Sequence, residues 1–428
     1  MDLHAIRSQV SPARARWAVL TVALIALGFK LWLAATTKGT NDVATFQQFA
    51  KVIGQVGPAG IYGVKHAAFD VYNHPPLTGD LLWIFFHVAH HGIKFSLLIR
   101  LPACFADLVT SLLVFELVRR WRGSPGRAMW AGIGAAASPI LVIISGFHGN
   151  TDPVFVMFVL LSVWLLAHRE MPLWAGVALG LALSVKVVPL VVLPVILLWA
   201  LLHSRRALLL FCTGLAVTLA VIWGPAVVEH WPQVRDNVLG YNGWSSPQWG
   251  GAAVLRDMNL SYVQLVWVLD HFRTVVVGLS AALGMFLVWR RRDALGPAVG
   301  LTLGCLLLLS TATGTQYLAW AAATLFLAEF WSALLYNIAG GVFLYILYGH
   351  WSNGTWNLAT GAAWSAGDAE LGILAWAALM AAVVCGVRAV LRTPRHPSAD
   401  PPAAPVTTEE TSAPHLSTRR RRAAGRPA

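Results

Sequence analysis

The run WAVLTVALIALGFKLWLAA, residues 17–35, gives way almost at once to TKGTND, residues 37–42, and that change decides the fold. A bilayer core of about 30 Å takes about 20 apolar residues in an α-helix, so the first run is long enough to cross. Its flank is not a clean cleavage site, and it reads as an uncleaved span rather than a signal peptide. The stretch that follows, residues 37–96, is the most polar part of an apolar chain. It opens on Asp42 and passes through Phe69-Asp70-Val71-Tyr72-Asn73-His74-Pro75-Pro76 before the next apolar run. Two short amphipathic segments lie inside it. Val43–Ile53 puts Phe46, Phe49, Ala50 and Ile53 at helical spacing, and Leu77–Ala89 is entered through Pro75-Pro76, where proline suits a first helical turn. Both are short for a crossing and read as helices lying in the membrane interface.

The rest of the chain repeats the apolar theme. Of 428 residues, 57% are apolar and only 12% charged, against about 25% charged in a soluble domain. The apolar runs are continuous rather than alternating, which excludes a membrane β-barrel. The fold class is therefore all-α, a polytopic membrane bundle. The net charge of +12 could suggest a nucleic-acid partner, but its placement argues against one. Arg119-Arg120-Trp121-Arg122, Arg205-Arg206 and Arg290–Arg292 flank apolar runs, and Arg419–Arg422 lies in the tail. This is the positive-inside pattern that sets orientation. Pinned this way, the chain makes about twelve crossings with both termini cytoplasmic. Residues 1–16 form a cytoplasmic start and 17–391 the membrane domain, with a first outer loop at 37–96 and a second long outer segment at 224–271. Residues 392–428 form a basic tail of disordered composition. Cys104, Cys212, Cys305 and Cys385 lie far apart in apolar runs and offer neither metal spacing nor a disulfide framework.

With the arginines inside, the unusual polar residues fall on the opposite side. Asp42 follows the first span directly; it suits a helix N-cap as well as a reactive carboxylate. His148, Asn150 and Asp152 crowd a loop too short to leave the membrane surface, and ionisable groups at that depth are costly and usually functional. Lys186 interrupts a hairpin of Leu, Val, Ala and Pro at its outer turn, where orientation bias does not explain it. With Arg100 and Arg256 it is a candidate for holding a phosphate whose lipid tail lies between helices. Tyr72, His74, Gln316 and Tyr317 offer aromatic and hydrogen-bonding surface on the same side. There is no GxxxxGK[ST], HExxH or GxSxG, so nucleotide hydrolysis, zinc proteolysis and serine hydrolysis lack motif support.

Taken in order, these motifs resemble the GT-C superfamily of polytopic glycosyltransferases, which use polyprenyl- or dolichyl-phosphate sugars. The resemblance runs over roughly residues 10–390. It rests on Asp42 after the first span, on Tyr72-Asn73-His74-Pro75-Pro76-Leu77 and on His148-Gly149-Asn150-Thr151-Asp152. The hairpin Gly176–Pro194 through Lys186 and the late motif Gly314-Thr315-Gln316-Tyr317-Leu318-Ala319-Trp320 complete it. The resemblance implies transfer of a sugar, with mannose the commonest analogue, from a polyprenyl-phosphate donor to a lipid, glycan or protein acceptor at the outer face of the cell (inner) membrane. It aligns Asp42 with the catalytic base and Asp152 with a second acidic position. Asp42 is preceded by Asn41 and Thr40 rather than by an acid, which weakens any divalent metal held by two carboxylates and suits a reaction without a cofactor. Inverting transfer needs a base opposite the leaving group. A phosphate leaves without protonation, so cations replace the second acid. Two other classes stay open on the residues: a lipid-linked-sugar flippase or transporter, and a non-catalytic envelope-assembly subunit.

Overall fold

A computed structural model describes residues 10–64, 71–241, 249–258, 261–310, 314–360 and 364–393. Among these, eight helices are long and apolar enough to cross a membrane: Pro12–Thr36, Phe95–Arg122, Pro125–His148, Arg205–Leu239, His271–Arg290, Arg292–Leu309, Phe330–Trp351 and Ala366–Arg392. Three shorter apolar helices, Asp152–Ala167, Pro172–Val185 and Leu193–His203, pack among them. The apolar run after Gly314 is broken into short turns at Thr315–Leu318, Ala319–Ala322 and Thr324–Leu327. Counting that run as one passage, the described residues hold about twelve apolar helical segments, in agreement with the sequence reading. It is a multi-pass membrane protein.

The two interfacial helices form as expected. The first is Asn41–Gly60 and buries Val43, Phe46, Phe49, Ala50 and Ile53, the residues its spacing singles out. The second is Pro76–Ala89, opened by Pro76 and packed on the first. Their apolar faces share a small core of their own with Ile61, Tyr62, Tyr72 and Phe95. The long second segment differs from the sequence reading. The helix from Arg205 runs unbroken in register past Pro225 to a kink at His230, and ends at Val234; on the far side a helix already begins at Tyr262. Proline at these positions bends rather than ends the helix. The Trp244–Gln248 part of that segment and the basic tail from residue 394 lie outside the described residues, as do Phe69-Asp70 and residues 311–313.

Polar clusters mark the two ends of the bundle. At one end Glu116 pairs with Arg16 and, at 2.7 Å, with Arg119. There Arg122 donates to the Ala328 carbonyl at 2.9 Å and Arg291 to that of Val390 at 3.2 Å. At the other end residues 39–40 pair in parallel with residues 358–359, joining the loop after the first span to the loop before the last. Gly39 adopts a left-handed φ of 87° there and has no room for a Cβ beside Arg100 and Val43.

Candidate active site

The strand pairing sets the entry to the Asn41–Gly60 helix. Its neighbour Thr40 donates its hydroxyl to the carbonyl of His148 at 2.9 Å. Asp42 then falls in the first turn, where the positive end of the helix favours a carboxylate, while the apolar stripe behind it faces the small core. Asp42 Oδ2 accepts from Asn150 Nδ2 at 2.9 Å and meets His148 Nε2 at 3.0 Å. Its side chain stays 36% exposed, so one flank of the carboxylate opens onto a cavity. Burial alone would raise its pKa. The charge and hydrogen bond of His148, the Asn150 amide and the nearby Lys186 ammonium outweigh that and hold the carboxyl down at about 2.

His148 and Asn150 reach Asp42 because the chain bends sharply between two crossings. The Pro125–His148 span ends in a π turn, Ile144–His148, followed by Gly149 in the left-handed region at φ 85°. A Cβ on Gly149 would lie 2.6 Å from Val43, so only glycine lets the loop close onto the Asp42 helix. The imidazole of His148 bridges Asp42 to the hydroxyl of Tyr348, which continues to Thr315 Oγ1 at 2.7 Å. Asp152 opens the next helix and has no exposure. It pairs with Lys186 and accepts from Trp320 Nε1 at 3.1 Å. The Lys186 ammonium lies 5.1 Å from the centre of the Tyr317 ring, itself stacked on Trp320 at 4.4 Å.

These groups surround a cavity of about 430 Å³. Of the residues expected at the site, Asp42, Asn150, Lys186, His74, Gln316 and Tyr317 line it. His148 and Asp152 stand behind the lining, each hydrogen-bonded to a residue that faces the void. Tyr72 is buried behind His74, with ring centres 5.7 Å apart. His74 is pushed down to about pKa 3, first by burial and then by Lys186, with Asp42 opposing; it is a neutral wall, held by a Tyr62 hydroxyl on its carbonyl at 2.7 Å. Arg100 has a different place from the one its position suggests. It is fully buried and absent from the lining, and its Nη1 is occupied by the carbonyls of Ala34, Thr37 and Gly146 and by the Thr37 hydroxyl at 2.9 Å. It fastens the C-terminal end of the first span. Arg256 lies in the short Gly250–Asp257 helix and does not line the cavity.

The cation missed by sequence reasoning is Arg273. It lines the cavity from the Tyr262–Arg290 helix and donates to the Tyr241 carbonyl at 3.2 Å. Its signal was available: a basic residue at the end of a span opposite the arginine clusters, the same anomaly that marks Lys186. Tyr348 had no such signal, being a common constituent of a span, whereas Thr315 and Trp320 lie in the late motif Gly314–Trp320 without standing out within it. Beyond the cations the lining turns apolar through Val187, Val188, Leu190, Val276 and Val277. Leu190 and Val277 also contribute to the exposed apolar surface of their helices, so this wall leads from the polar pocket to the lipid-facing side. Among the described residues no three His, Cys, Asp or Glu side chains converge as metal ligands.

Comparison with known proteins follows the same line. Residues 73–228 match the model of the dolichyl-phosphate-mannose-protein mannosyltransferase family. The crystal structure of ArnT from Cupriavidus metallidurans bound to undecaprenyl phosphate aligns with a TM-score of 0.50 at 12% identity, covering 87% of this chain and 77% of that one. The apo structure of the same protein covers the same shares at 12% identity with a TM-score of 0.43. No curated protein sequence matches the chain. At such identity the structural likeness speaks to the fold, and the family model covers residues 73–228 alone.

Proposed function

We propose, from the premise that this chain is a polytopic glycosyltransferase of the GT-C type, that it moves a mannose-type sugar from a polyprenyl-phosphate carrier to an acceptor hydroxyl, with inversion. The site end of the bundle would face the outside of the cell membrane, with the arginine end in the cytoplasm. The undecaprenyl phosphate held by the ArnT structure supports a carrier of this class. One observation carries the reading: a single half-open carboxylate, Asp42, shares a cavity with two cations, Lys186 and Arg273, and with an apolar wall leading to the lipid-facing surface.

The division of labour follows from charge. The phosphate of the donor is drawn to Lys186 and Arg273, and its isoprenoid chain lies along Val187, Val188, Val276 and Val277. The sugar then occupies the space near Asn150, Gln316 and Tyr317. The acceptor oxygen forms a bond to the anomeric carbon as the bond from that carbon to the phosphate oxygen breaks. The electron pair leaves with polyprenyl phosphate, stabilised by the two cations. The acceptor proton passes to Asp42. A carboxylate with a pKa of about 2 is a weak base towards a free alcohol. It suffices here because an alcohol oxygen already bonded to an oxocarbenium-like carbon is strongly acidic, so the proton moves late. Asn150 and His148 keep Asp42 ionised and aimed until then.

The test is a purified-protein assay with radiolabelled polyprenyl-phosphate mannose and a panel of lipid and glycan acceptors. Label appearing in acceptor with the wild type, and not with Asp42→Asn, is the expected result. Label moved across a vesicle membrane without a new glycosidic bond would replace the reading with that of a flippase. Full turnover by Asp42→Asn would remove the assignment of the base.

A further inference from the structure

A second ion pair lies inside the bundle and touches no part of the cavity. Lys30 of the first span and Asp107 of the second are 2.5 Å apart, with side chains 2% and 3% exposed. The same Asp107 oxygen accepts the hydroxyl of Ser145 at 2.6 Å. Lys30 is six residues short of the end of its helix, about 9 Å below the site end at 1.5 Å per residue. Charges at membrane depth are expensive, and a buried pair replaced by well-packed apolar residues is often no less stable. Stability therefore does not account for it.

What the pair is attached to does. Ser145 belongs to the π turn Ile144–His148, whose last residue is the histidine that meets Asp42. A π turn carries one residue more than the α-helix it interrupts. Relaxing it to α geometry would rotate His148 by about 100° around the helix axis, the angle between successive residues, and withdraw its imidazole from Asp42. The turn is fastened on every side. Cys104 donates its thiol to the Ser145 carbonyl at 3.4 Å, and Gly146 presses on the Lys30 backbone so closely that a Cβ would lie 3.1 Å from Lys30 Cα. Ser145 ties this turn to a carboxylate that an ion pair fixes between two other helices, beside the Arg100 bond to the Gly146 carbonyl at 3.4 Å.

We propose that Lys30 and Asp107 are positioning residues: through Ser145 they hold the turn in its π register and so aim His148 at Asp42. The inference rests on the reading of Asp42 and His148 as the reactive pair. Ser145→Ala is the cleanest test, because it leaves the ion pair intact and removes only its link to the turn. Expected are an unchanged thermal midpoint, a donor KM within about twofold, and a kcat lower by about tenfold or more, the scale on which misplacement of a reacting group is felt. In 15N-histidine-labelled protein the His148 resonance, identified by its loss in His148→Gln, shifts in Ser145→Ala and shifts likewise in Lys30→Met/Asp107→Leu. Ser145→Thr keeps the hydroxyl and restores both turnover and resonance. A His148 resonance that stays in place in Ser145→Ala overturns the proposal, whatever happens to turnover. Because the resonance is read without substrate, an error in the transferase reading would leave this result standing and show itself separately.

Discussion

The two ends of the bundle use the same residue types for opposite purposes. At the arginine end Arg16, Glu116, Arg119, Arg122 and Arg291 satisfy one another or the last carbonyls of neighbouring helices. At the site end Asp42, Asn150, Lys186 and Arg273 face a shared void, and their partners His148, Asp152 and Trp320 stand behind them. The pairs at the arginine end do not line that void, whereas the groups at the site end face it. Asp42 shows this best, being hydrogen-bonded on one oxygen and still 36% open.

The largest effect that would break this contrast is the loss of the open carboxylate. Asp42→Asn preserves shape and the Asn150 and His148 contacts as far as an amide can. It is expected to lower kcat by about 10²–10⁴, the usual contribution of a positioned base, with the fold intact by thermal melting. Next comes Lys186→Met. On the proposed reading it strips the donor phosphate of a cation, and it leaves the sealed Asp152 carboxyl without its ion partner, a loss that costs about 3–5 kcal/mol. Both kcat/KM and the thermal midpoint should fall. Adding Asp152→Asn should recover the midpoint and not the activity, which separates the structural half of the Lys186 role from the catalytic half.

Much of this contrast was legible in the sequence. Apolar run length and arginine placement gave the span count and the sorting of polar residues to one side, because bilayer thickness fixes the length an apolar run needs and local charge sets orientation. The spacing of Phe46, Phe49, Ala50 and Ile53 gave the interfacial helix that presents Asp42. Contacts across the bundle were not legible. Arg100 has the sequence environment of a phosphate ligand, yet backbone carbonyls from the end of the first span and from the Ile144–His148 turn converge on it. The Lys30–Asp107 pair and the π turn were equally hidden, since a lysine near a span end commonly snorkels and an extra residue in a helix leaves no compositional trace. Arg273 carries the same sequence signal as Lys186, a basic residue at the end of an apolar span opposite the arginine clusters.

A smaller effect tests how Asp42 is kept ready. Its pKa is depressed from the ordinary value near 3.9 to about 2. The stability gained from its ionised contacts is therefore present above the ordinary value and lost as pH falls through about 2. In the wild type Asp42 stays ionised throughout the range above pH 4, so no acid limb of kcat/KM there belongs to it. His148→Gln removes the strongest lowering partner while Lys186 and Asn150 remain, so the Asp42 pKa rises and an acid limb should enter the profile from below. A profile identical to wild type would mean that His148 does not set the ionisation of Asp42.

The smallest effect is expected at the other end, and its smallness is the point. Glu116→Gln removes the carboxylate shared by Arg16 and Arg119, so by count of broken ion pairs it is a heavier change than Lys186→Met. Yet the Arg16 side chain is 56% exposed and that of Arg119 31%, so both cations are re-solvated at once, and partly exposed pairs are worth about 1 kcal/mol or less. The thermal midpoint should move little, and turnover should stay within about twofold. Lys186→Met cannot be repaired in this way because Asp152 has no exposure through which water could replace the lost ammonium. What separates the two ends is therefore access to water behind each pair rather than the number of charges. A Glu116→Gln variant that folded normally but lost turnover would show that the arginine end takes part in the reaction cycle, and the contrast between fastening and chemistry would have to be redrawn.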